Sequence, residues 1–357
     1  MEETQVFILS LCRDPVLVFR ADELIYRNGA AEELFSKLLP GREAARLLPR
    51  PLLLEQESPF FATATICGRD CSVAAADRDG LRYLTVFPEE APDEASLVSG
   101  GMLTQLNNCL CNLGLAVEQI SRKLDTPDGG DCGMLLSVTR RSFYSVKRLA
   151  GNLTAAMLFR ERTLPFFPEP TELTGLCRQL TAEINGLFHG DRARLSFSGP
   201  GAELRATVDG ALVQRLLLNL ISNSLEHTPA DGALSLSLFR EEDRAVFMLR
   251  DDGCGIAPEV LRTAFSRCCV PADRNHLDRT AKAGLGLWLA SRIARLHGGM
   301  LTMQSSPGMG TCVRAAFPME QPGLPRLGAM RSAPADLREL LLTELAELLD
   351  SGSFTGV

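Results

Sequence analysis

The sequence predicts an α+β multidomain protein. Its 357 residues suffice for roughly two or three domains that each bury a core of their own. Apolar residues alternate, as they do in strands, near the start of the chain and in its second half, and a long stretch of helical apolar spacing separates the two regions. We expect an α/β domain at residues 1–90, a helical hairpin at 95–162, a second α/β domain at 163–320 and a tail with an amphipathic helix at 321–357.

Composition narrows the class of protein. An apolar content of 45% and a net charge of -7 are typical of a globular protein, and no basic surplus indicates nucleic-acid binding. The N-terminus lacks the pattern of a secretion signal, and no apolar run reaches the roughly 18 to 20 residues of a membrane span. We therefore expect a cytoplasmic protein with no membrane span and no nucleic-acid partner.

The 11 cysteines are expected to stay reduced, because nothing in the sequence indicates export. Their spacings do not form a paired zinc pattern, so buried free thiols are the favoured interpretation. A redox or metal role for Cys67 and Cys71 remains the alternative.

The first 90 residues are predicted to form a small sheet. Strands are expected at residues 15–19 and 24–26, a helix capped by Asn28 follows, and a closing hairpin is expected from about 62 to 87. The stretch from Asp14 to Phe35 resembles the opening of PAS sensory domains. That resemblance implies a five-stranded sheet flanked by short helices, which serves either as a small-molecule sensor or as a dimerisation and signal-relay module.

The next region carries a coiled-coil seam. Its apolar residues recur at alternating steps of three and four: Leu103, Leu106, Leu110, Leu113, Val117, Ile120 and Leu124. Residues 126–131 break the helix, and a second helix is expected from about 132 to 162. Two such hairpins, one from each chain of a homodimer, would bury the stripe in a four-helix bundle. The alternative is a hairpin that packs within one chain on the C-terminal domain.

An amphipathic helix over residues 216–229 carries two amides on one face, Asn219 and Asn223. Their oxygens suit Mg2+ alongside phosphate oxygens, although caps or bridges to the backbone are the alternative. Downstream, Asp251 is followed by Gly253 and Gly255, which permit close approach to a flat ligand. The Asp251 carboxylate can accept a hydrogen bond from the exocyclic amine of adenine.

A second glycine motif, Gly284-Leu285-Gly286-Leu287, leads into another amphipathic helix, whose free N–H groups favour phosphate. Strands are expected at residues 234–238, 244–250, 300–304 and 311–317, the last two joined by a turn at 306–310.

Together these motifs resemble the α/β sandwich ATP-binding domain shared by sensor histidine kinases, DNA gyrase and heat-shock chaperone ATPases. The histidine-kinase branch fits best, because a helical hairpin and a PAS-like region precede the domain. The resemblance implies that Asn223 holds Mg2+, that Asn219 lies beside the triphosphate, that Asp251 reads adenine and that His227 places its ring against the base. It also implies a mobile lid at residues 262–282. The expected nucleotide-binding residues are Asn219, Asn223, His227, Asp251, Gly253, Gly255, Ile256, Gly284, Leu285, Gly286, Leu287 and Thr311.

The family's phosphate-accepting histidine is absent from the expected place. Gly100 occupies its position, Gly101 occupies that of its acidic neighbour, and no histidine occurs before His189. Glycine offers no nucleophile for phosphate transfer. Because glycine weakens helices, we expect the first hairpin helix to begin after these two residues. Glu226 stands where many relatives have a phosphate-contacting lysine, and Lys282 where the second glycine motif often begins with glycine.

These features predict a homodimeric, ATP- and Mg2+-binding protein of the sensor-histidine-kinase type that belongs to a two-component system. Without the histidine, its output to a response regulator or partner kinase is expected to be conformational. Two alternatives stay open: an active kinase or phosphatase, with Thr104 or Gln105 positioning water, and a serine kinase of the anti-sigma-factor type, which the coiled-coil seam disfavours. His227 and His297 could instead be packed structural histidines, which is the expectation for His297. The helix near residues 337–349 packs on its own domain or on a partner.

Overall fold

The computed structural model describes residues 3–54, 58–89, 100–124, 133–188, 195–261, 285–320 and 337–349. Within these ranges, no helix is long and apolar enough to cross a membrane.

The N-terminal region forms five antiparallel strands in the order β2-β1-β5-β4-β3. The strands are β1 (Val16–Arg20), β2 (Glu23–Arg27), β3 (Phe60–Ile66), β4 (Arg69–Arg78) and β5 (Leu81–Pro88). Its helices are α1 (Glu3–Ser10), α2 (Gly29–Leu34), a 3-10 helix (Arg42–Leu47) and α3 (Pro51–Leu54). Asn28 caps α2, because its side-chain oxygen accepts from the Ala31 amide at 3.0 Å and from the Val16 amide at 2.9 Å. The predicted five strands and capped helix are confirmed, whereas the PAS assignment stays a prediction.

Two long helices follow, α4 (Gly100–Leu124) and α5 (Gly133–Glu161), and they pack against each other. The predicted start of the first helix is wrong, because α4 includes both Gly100 and Gly101. Each glycine costs a helix about 1 kcal/mol relative to alanine. Packing along a 25-residue helix outweighs that local preference.

The C-terminal α/β region contributes five strands in the order β11-β12-β10-β9-β7. They are β7 (Leu195–Ser198), β9 (Leu234–Glu241), β10 (Arg244–Asp251), β11 (Met300–Ser305) and β12 (Thr311–Pro318), and β6 (Glu169–Glu172) and β8 (Arg205–Val208) form a separate two-stranded sheet. The helices are α6 (Leu173–Leu187), α7 (Gly210–His227), α8 (Pro258–Leu261) and α9 (Leu285–Leu296). The four predicted strands are confirmed within one or a few residues at their ends.

The two α/β regions share one sheet. β3 pairs antiparallel with β11, through Thr63 with Leu301, Ala62 with Thr302 and Phe61 with Met303, so that ten strands are continuous. An unpaired edge strand offers a row of free N–H and C=O groups, and this pairing covers part of that row on each of the two strands.

The helical hairpin also packs within the chain. Leu149 and Ala156 of α5 contact the buried Leu285, Trp288 and Leu289 of α9. Part of the apolar stripe is therefore buried by the C-terminal region of the same chain, as in the alternative that the sequence left open. The hairpin still exposes a set of apolar side chains: Leu110, Leu115, Val117, Met134, Leu136, Val138, Phe143 and Met157.

The tail helix α10 (Leu337–Leu345) lies against α5 and α7. Leu341, Leu342 and Leu345 are buried and join the core of the C-terminal α/β region. Of the two alternatives that the sequence left open, this amphipathic helix packs on its own chain.

Candidate functional site

The helix with the two asparagines, α7, is capped at its N-terminus by Asp209, whose carboxylate accepts from the Leu212 amide at 3.2 Å. Asn219 is fully buried and Asn223 is partly exposed on the following turn. The amide nitrogen of Asn219 donates to the carbonyl of Arg215 at 3.0 Å. Its oxygen is buried and has no hydrogen-bond partner within the described ranges. A buried acceptor without a partner is costly, so this oxygen is available to a ligand.

The second glycine motif meets the same asparagine. A Cβ added at Gly286 would lie 3.1 Å from the Asn219 side-chain oxygen. Leu285 begins α9 and is buried, and Leu287 is partly buried. Gly284 and the predicted lid, residues 262–282, lie outside the described residues. Glycine at position 286 thus allows the start of α9 to approach α7.

Asp251 ends β10 and is 5% exposed. One of its carboxylate oxygens accepts from the Gly253 amide at 3.0 Å and the Thr311 amide at 3.1 Å, and the other accepts from the Ser224 hydroxyl at 2.7 Å. A carboxylate has about four acceptor positions, so three donors orient it and leave capacity for one more. Ser224 was missed by the sequence reasoning. The sequence feature that could have identified Ser224 is its hydroxyl directly after Asn223, on a helix whose neighbouring positions are buried.

Three glycines bring the loops around Asp251 into contact. A Cβ at Gly253 would lie 2.8 Å from the His227 carbonyl oxygen. Gly255 and Gly310 have φ values of +68° and +74°, and a Cβ would lie 2.0 Å from the Ser306 carbonyl oxygen and 1.9 Å from that of Asp251, respectively. Only glycine fits such positions without displacement of the backbone. These residues are required by the local packing, whatever the ligand.

Ile256 and His227 flank this loop. The Ile256 amide donates to the Ser305 hydroxyl at 2.8 Å, which ties the loop to the end of β11. The His227 side chain is exposed, while its backbone carbonyl accepts from the Cys254 amide at 3.3 Å. Its ring therefore stands at the solvent edge of the loop.

His297 lies outside this cluster. It is fully buried between the rings of Phe166 and Phe317. Its Nε2 accepts from the Asp209 amide at 3.0 Å, so the hydrogen lies on Nδ1, which donates to the Ile293 carbonyl at 2.8 Å. Burial lowers the pKa of His297, although the hydrogen bond to Ile293 and the charge of Asp209 oppose that shift. It is a packed structural histidine, as expected.

The geometry of the cysteines that the structure describes gives no support to a metal or redox role. The cysteines within the described ranges are all free, and no group of His, Cys, Asp and Glu there is arranged to hold a metal ion. Burial, with a smaller contribution from Glu89, raises the pKa of the Cys71 thiol to about 12. The thiolate, which is the reactive form, is therefore disfavoured at that position.

The region that contains these residues is similar to known proteins. The model of the family described as histidine kinase-, DNA gyrase B-, and HSP90-like ATPase matches residues 208–321. The chain is 30% identical over 151 residues to the sensor histidine kinase MtrB of Mycolicibacterium paratuberculosis, a match that covers 42% of this chain and 26% of that protein. It is 27% identical over 215 residues to the sensor histidine kinase RppB of Synechocystis sp., which covers 60% of this chain and 47% of that protein.

Among solved structures, the histidine kinase ThkA in complex with the response regulator protein TrrA aligns with a TM-score of 0.45 and 16% identity, over 89% of this chain and 98% of that chain. The two curated relatives above are matched over only about a quarter and about half of their own lengths.

Proposed function

Because the chain carries a histidine-kinase-type ATP-binding domain, we propose that it binds ATP with Mg2+ and acts as a signal-transduction protein of a two-component system. One observation carries this proposal. The carboxylate of Asp251 is oriented by donors that include Ser224 of α7, and the Asn219 oxygen on the same helix has no partner within the described ranges and lies next to the start of α9. The first can accept from a base amine, and the second can face a cation or its water.

Each residue has a proposed role. Asp251 accepts from the exocyclic amine of adenine, and the glycines at 253 and 255 let the base approach. His227 flanks the base from the solvent side. Asn219 lies beside the triphosphate, and the amide oxygen of Asn223 is a ligand of Mg2+. The free N–H groups at the start of α9 face the phosphates. Bound ATP supplies a transferable γ-phosphoryl group, and these side chains bind and orient it.

We further propose that the output is conformational. Gly100 stands where a phosphate-accepting histidine is expected, and the first histidine of the chain is His189. In this proposal residues 1–90 form a PAS-like module, 95–162 dimerise, 163–320 bind ATP and 321–357 form a tail. The exposed apolar side chains of α4 and α5 support dimerisation. The partner that receives the output is a response regulator or a second kinase.

Calorimetric titration of the whole protein with Mg2+ and ATP tests the nucleotide site. Asp251→Asn should weaken affinity by about tenfold to a hundredfold, because a hydrogen bond to a charged group contributes about 1.5–3 kcal/mol. Asp252→Asn is the matched control, since that neighbour is exposed and its carboxylate accepts only a long 3.3 Å bond from the Ala233 amide in the described structure. Equal affinity in wild type and Asp251→Asn, with an intact fold, would remove Asp251 from the site.

Incubation of the whole protein with Mg2+ and ATP labelled on its γ-phosphate tests whether the chain phosphorylates itself. We expect ATP binding without acid-labile label on the chain. Label would instead identify an active kinase that uses another histidine as acceptor.

A further inference from the structure

Helix α9 contacts three parts of the molecule at once. Its second residue, Gly286, lies beside Asn219 in the proposed nucleotide site. One turn later, Trp288 packs against the hairpin helix α5 through Phe159, with ring centroids 6.2 Å apart. Near its end, Arg292 and Arg295 reach the N-terminal region. A 12-residue helix is about 18 Å long and moves as one body, so these contacts are mechanically linked.

The arginines hold a buried carboxylate. The Glu89 side chain is 1% exposed and contacts Arg292 at 2.9 Å and Arg295 at 2.8 Å. Ser72 also donates to it at 3.1 Å. Asp70 pairs with both arginines and is 39% exposed. Burial would raise the pKa of the Asp70 carboxyl, but the two arginines and a hydrogen bond from Thr65 hold it below its usual range.

Besides these ion pairs, the paired strands β3 and β11 connect the N-terminal and C-terminal regions. Met300, at the start of β11, belongs to the hydrophobic core of the N-terminal region. Phe61 of β3 packs in the opposite direction, against the core of the C-terminal region. Each region therefore contributes a side chain to the other's core.

Glu89, Asp70, Arg292 and Arg295 form an ion cluster in which some hydrogen-bond donors lack a partner among the described residues. The Nε atoms of Arg292 and Arg295 are buried and have no hydrogen-bond partner in the part of the chain that the structure describes. Charges that are buried with incomplete hydrogen bonding gain little net stability, whereas removal of one partner is strongly destabilising. Such a contact can hold the regions together and still be released by a modest change in the N-terminal region. Glu89 directly follows β5, so it stands where the chain leaves that region.

We propose that the N-terminal region regulates the nucleotide site directly through α9, by a contact separate from the hairpin. When Glu89 and β3 are docked, α9 is held with its first turn against Asn219, and nucleotide affinity is high. When they are released, α9 loses that support and affinity falls. This inference rests on the proposed nucleotide site. Coupling is reciprocal, so bound nucleotide also strengthens the docked contact.

The chain contains an intrinsic fluorophore that can distinguish the docked from the released state. Trp288 is the single tryptophan, and the Arg292 guanidinium lies 5.2 Å from the centroid of its ring. A change at Glu89 should therefore alter Trp288 fluorescence in nucleotide-free protein. Backbone hydrogen exchange in β3 and β11 reports independently whether the two strands stay paired.

The test compares whole-chain Glu89→Gln with wild type by hydrogen exchange, Trp288 fluorescence and titration with the ATP analogue AMPPNP. Glu241→Gln is the matched control, because Glu241 pairs with Arg314 at the surface of the C-terminal region. We expect Glu89→Gln to speed exchange in β3 and β11, to shift the fluorescence and to weaken AMPPNP binding about fivefold to twentyfold. The control should match wild type. AMPPNP should slow exchange in wild-type β3 and β11.

A second variant, Asp70→Lys with Glu89→Lys, puts four positive charges together and forces release if the single change does not. A released contact with wild-type affinity would overturn the inference alone. Strands that stay protected in both variants would also overturn it, because the ion cluster would then not control docking. Wild-type protein that binds no AMPPNP would overturn the proposed function itself.

Discussion

At the scale of single residues, the orientation of the Asp251 carboxylate comes from partners that are distant in sequence. Its position after a strand and before two glycines was readable from the chain. Ser224, which donates to it, lies 27 residues upstream, and Thr311 lies 60 residues downstream. The Ser224 contact depends on which face of α7 meets β10, and sequence periodicity does not specify that pairing.

His297 gives a residue-scale prediction about pH. Its folded-state pKa is lowered, so above about pH 6.5, the ordinary histidine value, both states are neutral and the residue has no effect. As pH falls below that value, the unfolded chain binds a proton that the folded one resists. Stability should then fall by up to about 1.4 kcal/mol per pH unit for this group, until the lowered pKa is reached.

Urea unfolding of wild type and His297→Asn between pH 5 and 8 checks this expectation. The variant should be less stable throughout but should show a flatter pH dependence. His227→Asn is the matched control, because that histidine is exposed. Equal slopes in wild type and His297→Asn would show that the buried ring accepts its proton freely.

At the scale of elements, the tail helix α10 is anchored by one buried ion pair and one exposed pair. Arg148 of α5 contacts Glu344 at 3.1 Å, with side chains 14% and 4% exposed. Arg148 also donates to Ser222 of α7 at 3.1 Å. Lys147 pairs with Glu339, where both side chains are about half exposed. The same helix therefore offers a buried acid and an exposed acid for comparison.

Glu344→Gln should loosen α10, because removal of one partner from a buried pair costs about 3 kcal/mol or more. Hydrogen exchange of the α10 amides should speed up by about a hundredfold, unless detachment of the helix sets a lower limit. Glu339→Gln should change exchange by less than about fivefold, since exposed pairs contribute about 0–1 kcal/mol. Similar exchange in the two variants would mean that apolar packing alone holds the helix.

At the scale of the whole molecule, the hairpin leaves apolar surface uncovered. Leu110 is 50% exposed and Val117 is 54% exposed on α4, and Phe143 of α5 is 54% exposed. A cluster of exposed apolar side chains on two adjacent helices is typical of an interaction site. This surface supports the proposed homodimer, even though α5 also packs on α9.

Leu110→Asp with Val117→Asp should therefore give a monomer with native secondary structure, because both positions are exposed in the single chain. Light scattering with circular dichroism measures both properties. Leu39→Asp is the control, since Leu39 is 62% exposed and lies outside the hairpin. A dimer that persists in the double variant would place the interface elsewhere.

The sequence by itself determined the local elements and the motif residues. Apolar periodicity identified both hairpin helices and the four strands, and Gly253 and Gly255 were recognised as places of close approach, although the atoms that a Cβ would meet there belong to the chain itself. These features are readable because they depend on neighbours within a few residues. The start of α4 was predicted wrongly, since local propensity was given more weight than packing along a long helix.

Only the tertiary structure decided how these parts meet. It joined β3 to β11, buried Glu89 between Arg292 and Arg295, and set Ser224 beside Asp251. Such contacts link residues that are far apart in the chain, and many pairings satisfy the same local pattern of apolar and polar residues. The selection among them comes from the summed burial of side chains and pairing of polar groups in three dimensions.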